Sequence, residues 1–198
     1  MTWEVLSIIG TIAFAISGAI IGMEEKYDIL GVYILGIVTA FGGGAIRNLL
    51  IGVPVSALWD QSILFYIAFL AMTAVFVFPH NLLRHWKRWG NFFDAIGLSA
   101  FAIQGALYAV KMDHPLSAVI VAAVLTGSGG GMLRDVLAGR KPTVLKDEIY
   151  AVWAIVAGLL IGFKVIVSPL ELYTLFFGIV VLRVCSYMYH WRLPIKSL

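Results

Sequence analysis

Two runs of three glycines, Gly42-Gly43-Gly44 and Gly129-Gly130-Gly131, each stand three residues ahead of an arginine, Arg47 and Arg134. Both runs lie inside long apolar segments. A glycine within a helix costs about 1 kcal/mol relative to alanine, so three in succession are expected to kink or open the helix. Freed carbonyls inside a bilayer find partners only in protein or in a water-filled cavity. One reading of the runs is therefore a pair of broken helices whose carbonyls face a conduit and attract cations. The other is close helix packing through small residues. Two runs at matched positions favour the conduit.

An arginine within a span costs several kcal/mol unless it pairs or reaches the interface. Asp135 and Asp94 are candidate partners for Arg134, whereas no carboxylate is evident in the span that holds Arg47. A structural ion pair and a gating or field-shaping role are both open for the two arginines. The residues that follow them differ, Asn48 against Asp135, so a conduit between them is not electrostatically symmetric. Thr39, Thr126, Ser128, Ser17 and Gln104 are the other polar side chains near the breaks. Any one hydroxyl there could bond its own helix backbone. Their clustering beside both glycine runs points to pore lining.

Composition says what must position these residues. Apolar types make up 61% of the 198 residues, charged types 13%, and the mean hydropathy is +0.96. A soluble domain carries roughly a quarter charged residues. Apolar runs fall at about Val5–Met23, Ile29–Gly52, Ser62–Phe78, Phe92–Val110, Leu116–Gly139, Ile149–Val167 and Leu170–Tyr189. Each is about long enough to cross a bilayer. The expected architecture is an all-α membrane protein of seven transmembrane helices. The start has no basic residue and no cleavage site follows it, so no signal peptide is expected.

Lysine and arginine set the orientation. Lys26, Arg84, Lys87, Arg88, Arg140, Lys141, Lys146, Arg192 and Lys196 fall in one set of loops, against Lys111 and Lys164 in the other. The basic side is expected to be cytoplasmic, with the N-terminus outside and the C-terminus inside. The net charge of +3 therefore reports orientation and not nucleic-acid binding. Trp3, Trp59, Trp86, Trp89, Trp153 and Trp191 read as interfacial anchors, and Arg183 reads as a side chain snorkelling to the cytoplasmic face.

The chain also matches itself at an offset of 87 residues, with 17 identities in the 51 positions from Gly10 to Asp60. Gly10 to Ala19 lies over Gly97 to Ala106, and Thr39 to Arg47 over Thr126 to Arg134. Each copy holds three spans, and an odd number implies that the second enters from the opposite side. Residues 1–85 are expected to form the first three-helix repeat, 86–168 the inverted second, and 169–198 a seventh helix with a cytoplasmic tail. Inverted repeats are a transporter and channel architecture with the permeation site at the repeat interface.

Other chemistry finds no support. Cys185 is the single cysteine. His80, His85, His114 and His190 lack metal-ligand spacing. Gly127-Ser-Gly-Gly-Gly-Met lacks the last glycine of a dinucleotide fingerprint and has no following Gly-Lys-Ser/Thr. No grouping of nucleophile, base and oxyanion donors is present, so neither an enzyme nor a cofactor is expected.

Glycine triplets followed by arginine, in duplicated three-helix units with a seventh helix, resemble the prokaryotic branch of the trimeric intracellular cation (TRIC) channels. Thr126 to Asp135 is the most specific stretch. The resemblance implies a homotrimer in membrane lipid, with one pore per protomer for monovalent cations, chiefly potassium. That pore would run between the repeats, near Gly42 to Gly44 and Gly129 to Gly131. Animal members carry a charged lipid-linked motif in the second helix region. The segment Val32 to Ala40 has no charged residue here, so phosphoinositide binding is not implied. The same bacterial family is also labelled a glycine transporter, which keeps a carrier for glycine or a similar zwitterion as the alternative.

Overall fold

The structure is a computed structural model that describes residues 2–77, 86–145 and 149–193, without the side chains of 86–89. Phe78, His80, Arg84, His85, Lys146, Asp147 and Lys196 lie outside the described residues, as do the side chains of Trp86, Lys87, Arg88 and Trp89. Seven α-helices follow one another among the described residues: α1 (Thr2–Glu24), α2 (Ile29–Ile51), α3 (Ser62–Val77), α4 (Trp86–Lys111), α5 (Leu116–Leu137), α6 (Ala151–Gly162) and α7 (Pro169–Met188). A 3₁₀ helix, Val55–Gln61, leads into α3, and a short one, Thr143–Leu145, follows α5. No strand occurs among the described residues, and the protein is an all-α membrane protein.

Local sequence explains the helix ends. Asp28 caps α2, its carboxylate accepting from the Gly31 N–H at 2.8 Å. Ser168 and Glu171 form a reciprocal capping box at the start of α7, with Pro169 in its first turn. The α2 chain leaves its helix through Gly52 at φ 78°, a left-handed conformation that glycine adopts without strain.

Six segments are long and apolar enough to span a bilayer: α1, α2, the run Val55–Val77, residues 90–111 of α4, α5 and α7. The sixth expected span differs. Only Ala151–Gly162 of it is helical, 12 residues or roughly 18 Å at 1.5 Å per residue. Phe163 caps that helix and Lys164 turns left-handed at φ 56°. The apolar residues on either side, Ile149 and Tyr150 before it and Phe163 and Val165 to Val167 after it, made the segment read as a full span but lie outside the helix.

Contacts and turns recur at the 87-residue offset. Lys26 and Asp113 both have positive φ, as do Gly52 and Gly139. A Cβ on Gly10 would meet the Phe101 ring, and one on Gly97 the Phe14 ring. The Tyr27 hydroxyl donates to the Leu137 carbonyl at 2.8 Å, while His114 Nε2 lies 2.8 Å from the Ile51 carbonyl. The two contacts are alike, each reaching the last turn of a helix in the other half, with acceptors one residue out of register at the 87-residue offset.

Helices α1, α2, α4 and α5 meet along their small residues. Buried Ala15, Ala19, Ala102, Ala106 and Ala123 let the backbones approach, and Phe14, Leu98 and Ile103 fill the spaces left over. Helix α3 packs one side only: Ala68, Met72 and Val75 are buried, while Ile63, Tyr66 and Leu70 are about 70% exposed. An apolar outer face of this kind suits lipid or another membrane helix.

Candidate functional site

Helices α2 and α5 cross at the glycine triplets. Both are uninterrupted α-helix through Gly42–Gly44 and Gly129–Gly131, so three glycines in a row have not opened either helix. What they allow is contact between backbones. A Cβ on Gly130 would lie closer than 3.0 Å to the Thr39 carbonyl oxygen, and one on Gly43 would lie 2.5 Å from that of Thr126. Gly129 faces the Gly43 Cα in the same way. The outer members differ. A Cβ on Gly44 would have its nearest neighbour at 3.8 Å, Arg47 Nη2, and one on Gly131 would stand 3.4 Å from the Tyr150 hydroxyl. Gly42 faces the flexible end of Leu133.

The hydroxyls beside the triplets bond their own helices. Thr39 donates to the Leu35 carbonyl, Thr126 to Ala122 and Ser128 to Val124, each at 2.6 Å. This satisfies buried hydroxyls within their own helices. Ser128 lines neither of the cavities described next.

Each arginine stands beside a cavity. A cavity of about 250 Å³ lies at the end of the bundle that carries Arg140 and is lined by Ser17, Glu24, Asp94, Arg134, Asp135 and Arg140, among others. Arg134 is 5% exposed there. Its Nε and Nη2 donate to Asp135 Oδ1 at 2.9 and 2.8 Å, and Nη1 lies 3.2 Å from Asp94 Oδ1 and bonds the Ser17 hydroxyl. Asp135 also accepts from the Thr143 N–H and hydroxyl at 2.9 and 3.1 Å through its other oxygen. One cation thus joins helices α1, α4 and α5, and Asp135 ties in the loop beyond. At the mouth, Arg140 bridges Glu24 at 2.8 Å and Glu25 at 2.6 Å, linking the α5–α6 loop to the end of α1.

A second cavity, of about 20 Å³, lies toward the opposite end, lined by Thr11, Gly44, Arg47, Gln61, Gln104 and Thr126, among others. Arg47 is 2% exposed. It donates to Asn48 Oδ1 at 3.0 and 2.7 Å and lies 4.0 Å over the Tyr108 ring. Gln104 bonds the Ser7 hydroxyl. The two sites are built from repeat mates: Ser17 and Gln104, Arg134 and Arg47, Asp135 and Asn48, Asp94 and Ser7. One set holds two carboxylates around its arginine; the other holds none.

Residue order along the helices shows what lies between the cavities. Helix α1 gives Thr11 to one and Ser17 to the other, roughly 9 Å apart along its axis. Phe14, fully buried, falls between them, as do Gly97 on α4 and Gly130 on α5. Gly130 and Gly97 both face the Phe14 ring.

Five neighbours were not singled out by sequence reasoning in these places. Thr11, Phe14, Tyr108 and Tyr150 carry no charge and break no pattern, and only Phe14, matching Phe101 in the repeat, left a trace. The fifth, Arg183, corrects an expectation. It does not snorkel: it is 0% exposed, with its guanidinium 4.7 Å over the ring of buried Tyr150. A cation–π contact with an inward-facing ring is one of the interactions that hold it in the interior.

A family model described as "Glycine transporter" matches residues 4–80 and 91–164. The chain is 72% identical over 197 residues to the UPF0126 membrane protein YvgT of Bacillus subtilis, covering all of this chain and 98% of that one. A crystal structure of a prokaryotic TRIC channel in 0.5 M KCl superposes with a TM-score of 0.88 at 35% identity, covering 96% of this chain and 98% of that one. A TRIC trimeric intracellular cation channel orthologue from Rhodobacter sphaeroides does so with a TM-score of 0.85 at 30% identity, over the same shares. Sequence and fold agree over nearly the whole length, and the chain belongs to the UPF0126 membrane proteins, the family of the prokaryotic TRIC channels.

Proposed function

We propose that the protein is a cation channel, permeable to potassium and other monovalent cations, with one pore in each protomer of a homotrimer. The observation that carries this reading is the pair of polar cavities, at Arg134 and Arg47, aligned on either side of the α2–α5 glycine contact. The solved relatives described as TRIC cation channels support it. In this reading the path runs from the larger cavity past Phe14 and Gly130 to the smaller one. Gly42 to Gly44, Gly129 to Gly131, Thr39, Thr126, Ser17 and Gln104 stand along it, and Arg47, Arg134, Asp94 and Asp135 set its field. The arrangement with α2 pressed on α5 is the closed state. At Gly43 and Gly130 the two helices meet backbone to backbone, so there a small separation clears no side chain of either helix, and the Phe14 ring of α1 is the side chain that must yield for the path to open.

At the buried end of the larger cavity Asp94 and Asp135 exceed Arg134 by one charge, whereas among the lining residues at the mouth Arg140 and Lys141 exceed Glu24, so the field that favours cations is confined to the inner part of the cavity. The protein spans a prokaryotic plasma membrane with its N-terminus outside, so that this cavity opens to the cytoplasm.

The alternative, a carrier for glycine or a similar zwitterion, draws on the family description and on the juxtaposed cation and carboxylates at Arg134. The two differ in what they move. Purified protein in liposomes is expected to pass potassium down its gradient, with no saturable uptake of radiolabelled glycine. Saturable glycine uptake without potassium flux would replace the channel by the carrier.

A further inference from the structure

The repeat supplies a comparison in which one half explains what the other lacks. At Arg134 the chain provides its own counter-ions, Asp135 and Asp94, within 3.2 Å. At the matched Arg47, Asn48 stands in place of Asp135 and Ser7 in place of Asp94. The hydrogen-bond partner of Arg47 among the described residues is the neutral Asn48 amide, and its other contact is the face of Tyr108. A buried charge without a counter-ion costs several kcal/mol. Arginine has five N–H donors in a fixed fork. Asn48 takes the Nε–H and one Nη2–H, and the other three N–H donors of this cavity-lining side chain have no acceptor among the described residues.

The cavity wall points to the same occupant. The Thr11 hydroxyl lines it, the residue is 1% exposed, and its Oγ1 has no hydrogen-bond partner among the described residues. No carboxylate lines the cavity. Its volume of about 20 Å³ exceeds the roughly 10–15 Å³ that one water requires. A compact space with a buried guanidinium, a free hydroxyl donor and no negative charge selects for an anion over a cation. We infer that the cavity between Arg47 and Thr11 is a binding site for a small monovalent anion of the halide class, which completes from solution the ion pair that the chain builds for itself at Arg134.

The cavity lies on the path proposed above, where a bound anion would offset the charge of Arg47 toward a passing cation; the test is a binding measurement, separate from any flux assay. Purified protein in detergent is titrated with sodium chloride or bromide against sodium gluconate at constant ionic strength. The thermal midpoint and the ³⁵Cl NMR linewidth are both read. Wild type is expected to rise in midpoint with halide, by mass action, and to broaden the chloride line in a way that bromide competes away. Asn48→Asp, which places a carboxylate where Asp135 stands in the other repeat, is expected to lower halide affinity by roughly tenfold or more. It should also lose the halide dependence of its midpoint. Thr11→Val should weaken binding while leaving the guanidinium in place. Equal midpoints and linewidths in halide and gluconate would overturn the inference and leave water as the occupant. Halide binding unchanged in both variants would place the anion elsewhere and overturn it equally. Where a variant fails to fold, an anomalous bromide peak at Arg47 in wild-type crystals decides, its presence supporting the site and its absence refuting it.

Discussion

Arg134→Ala is expected to be the most damaging single substitution of a charged residue in the chain, and much worse than Arg47→Ala. Removing Arg134 leaves Asp94 and Asp135 facing each other in a buried site, and stranding a buried partner costs about 3–5 kcal/mol. The loss spreads, since the same guanidinium holds Ser17 on α1, Asp94 on α4 and Asp135 on α5. Arg134→Lys should recover little, because a point-like ammonium cannot serve three partners in a fork. Arg47→Ala strands no carboxylate and forfeits a hydrogen-bonded amide and a cation–π contact, the latter about 0.5–2 kcal/mol. Thermal unfolding of the purified single variants reads the difference. The double variant Arg134→Ala with Asp94→Ala should regain part of the loss, whereas strictly additive losses would mean that Arg134 and Asp94 do not act as a pair.

How much of this was legible in the sequence depends on what each residue had to announce. Seven helices follow from apolar runs and charged breaks, and the repeat from matched glycines and arginines. Asp94 lies 40 residues from Arg134, yet helix count alone placed both at one end of the bundle. The direct bond from Arg134 to Asp135 was less foreseeable. Neighbours on a helix usually face apart, and only the side-chain reach of arginine closes that gap. The glycine triplets were read for their cost to a helix, but that cost is local and small beside the packing they permit. Tertiary contact between α2 and α5 keeps both helices whole. Arg183 went astray for a related reason. Sequence position near a span end suggests snorkelling, while the buried side chain packs over Tyr150, which precedes another helix and leaves no mark near Arg183.

The second large effect should come from the glycines and should differ sharply within one triplet. Gly130→Ala places a methyl closer than 3.0 Å to the Thr39 carbonyl oxygen, where backbone and not a flexible side chain must yield. Overpacking of this kind costs about 1–3 kcal/mol and occasionally more, and two helices must move apart to relieve it. Gly43→Ala meets the Thr126 carbonyl at 2.5 Å and should behave alike. Gly44→Ala finds its nearest neighbour at 3.8 Å and gains the helix propensity of alanine, about 1 kcal/mol. It should be neutral or stabilising. Stability in detergent, with potassium flux in liposomes, tests the ranking: Gly130→Ala and Gly43→Ala perturbed in both, Gly44→Ala folded at least as well as wild type. Equal tolerance at all three positions would mean that α2 and α5 do not meet along the triplets.

Single-channel recording of the purified wild-type protein in a planar bilayer, under a potassium chloride gradient, tests the central claim most directly. The account predicts discrete unitary steps whose reversal potential lies close to the potassium equilibrium potential. A silent bilayer with folded protein present, or steps reversing at the chloride potential, would contradict it.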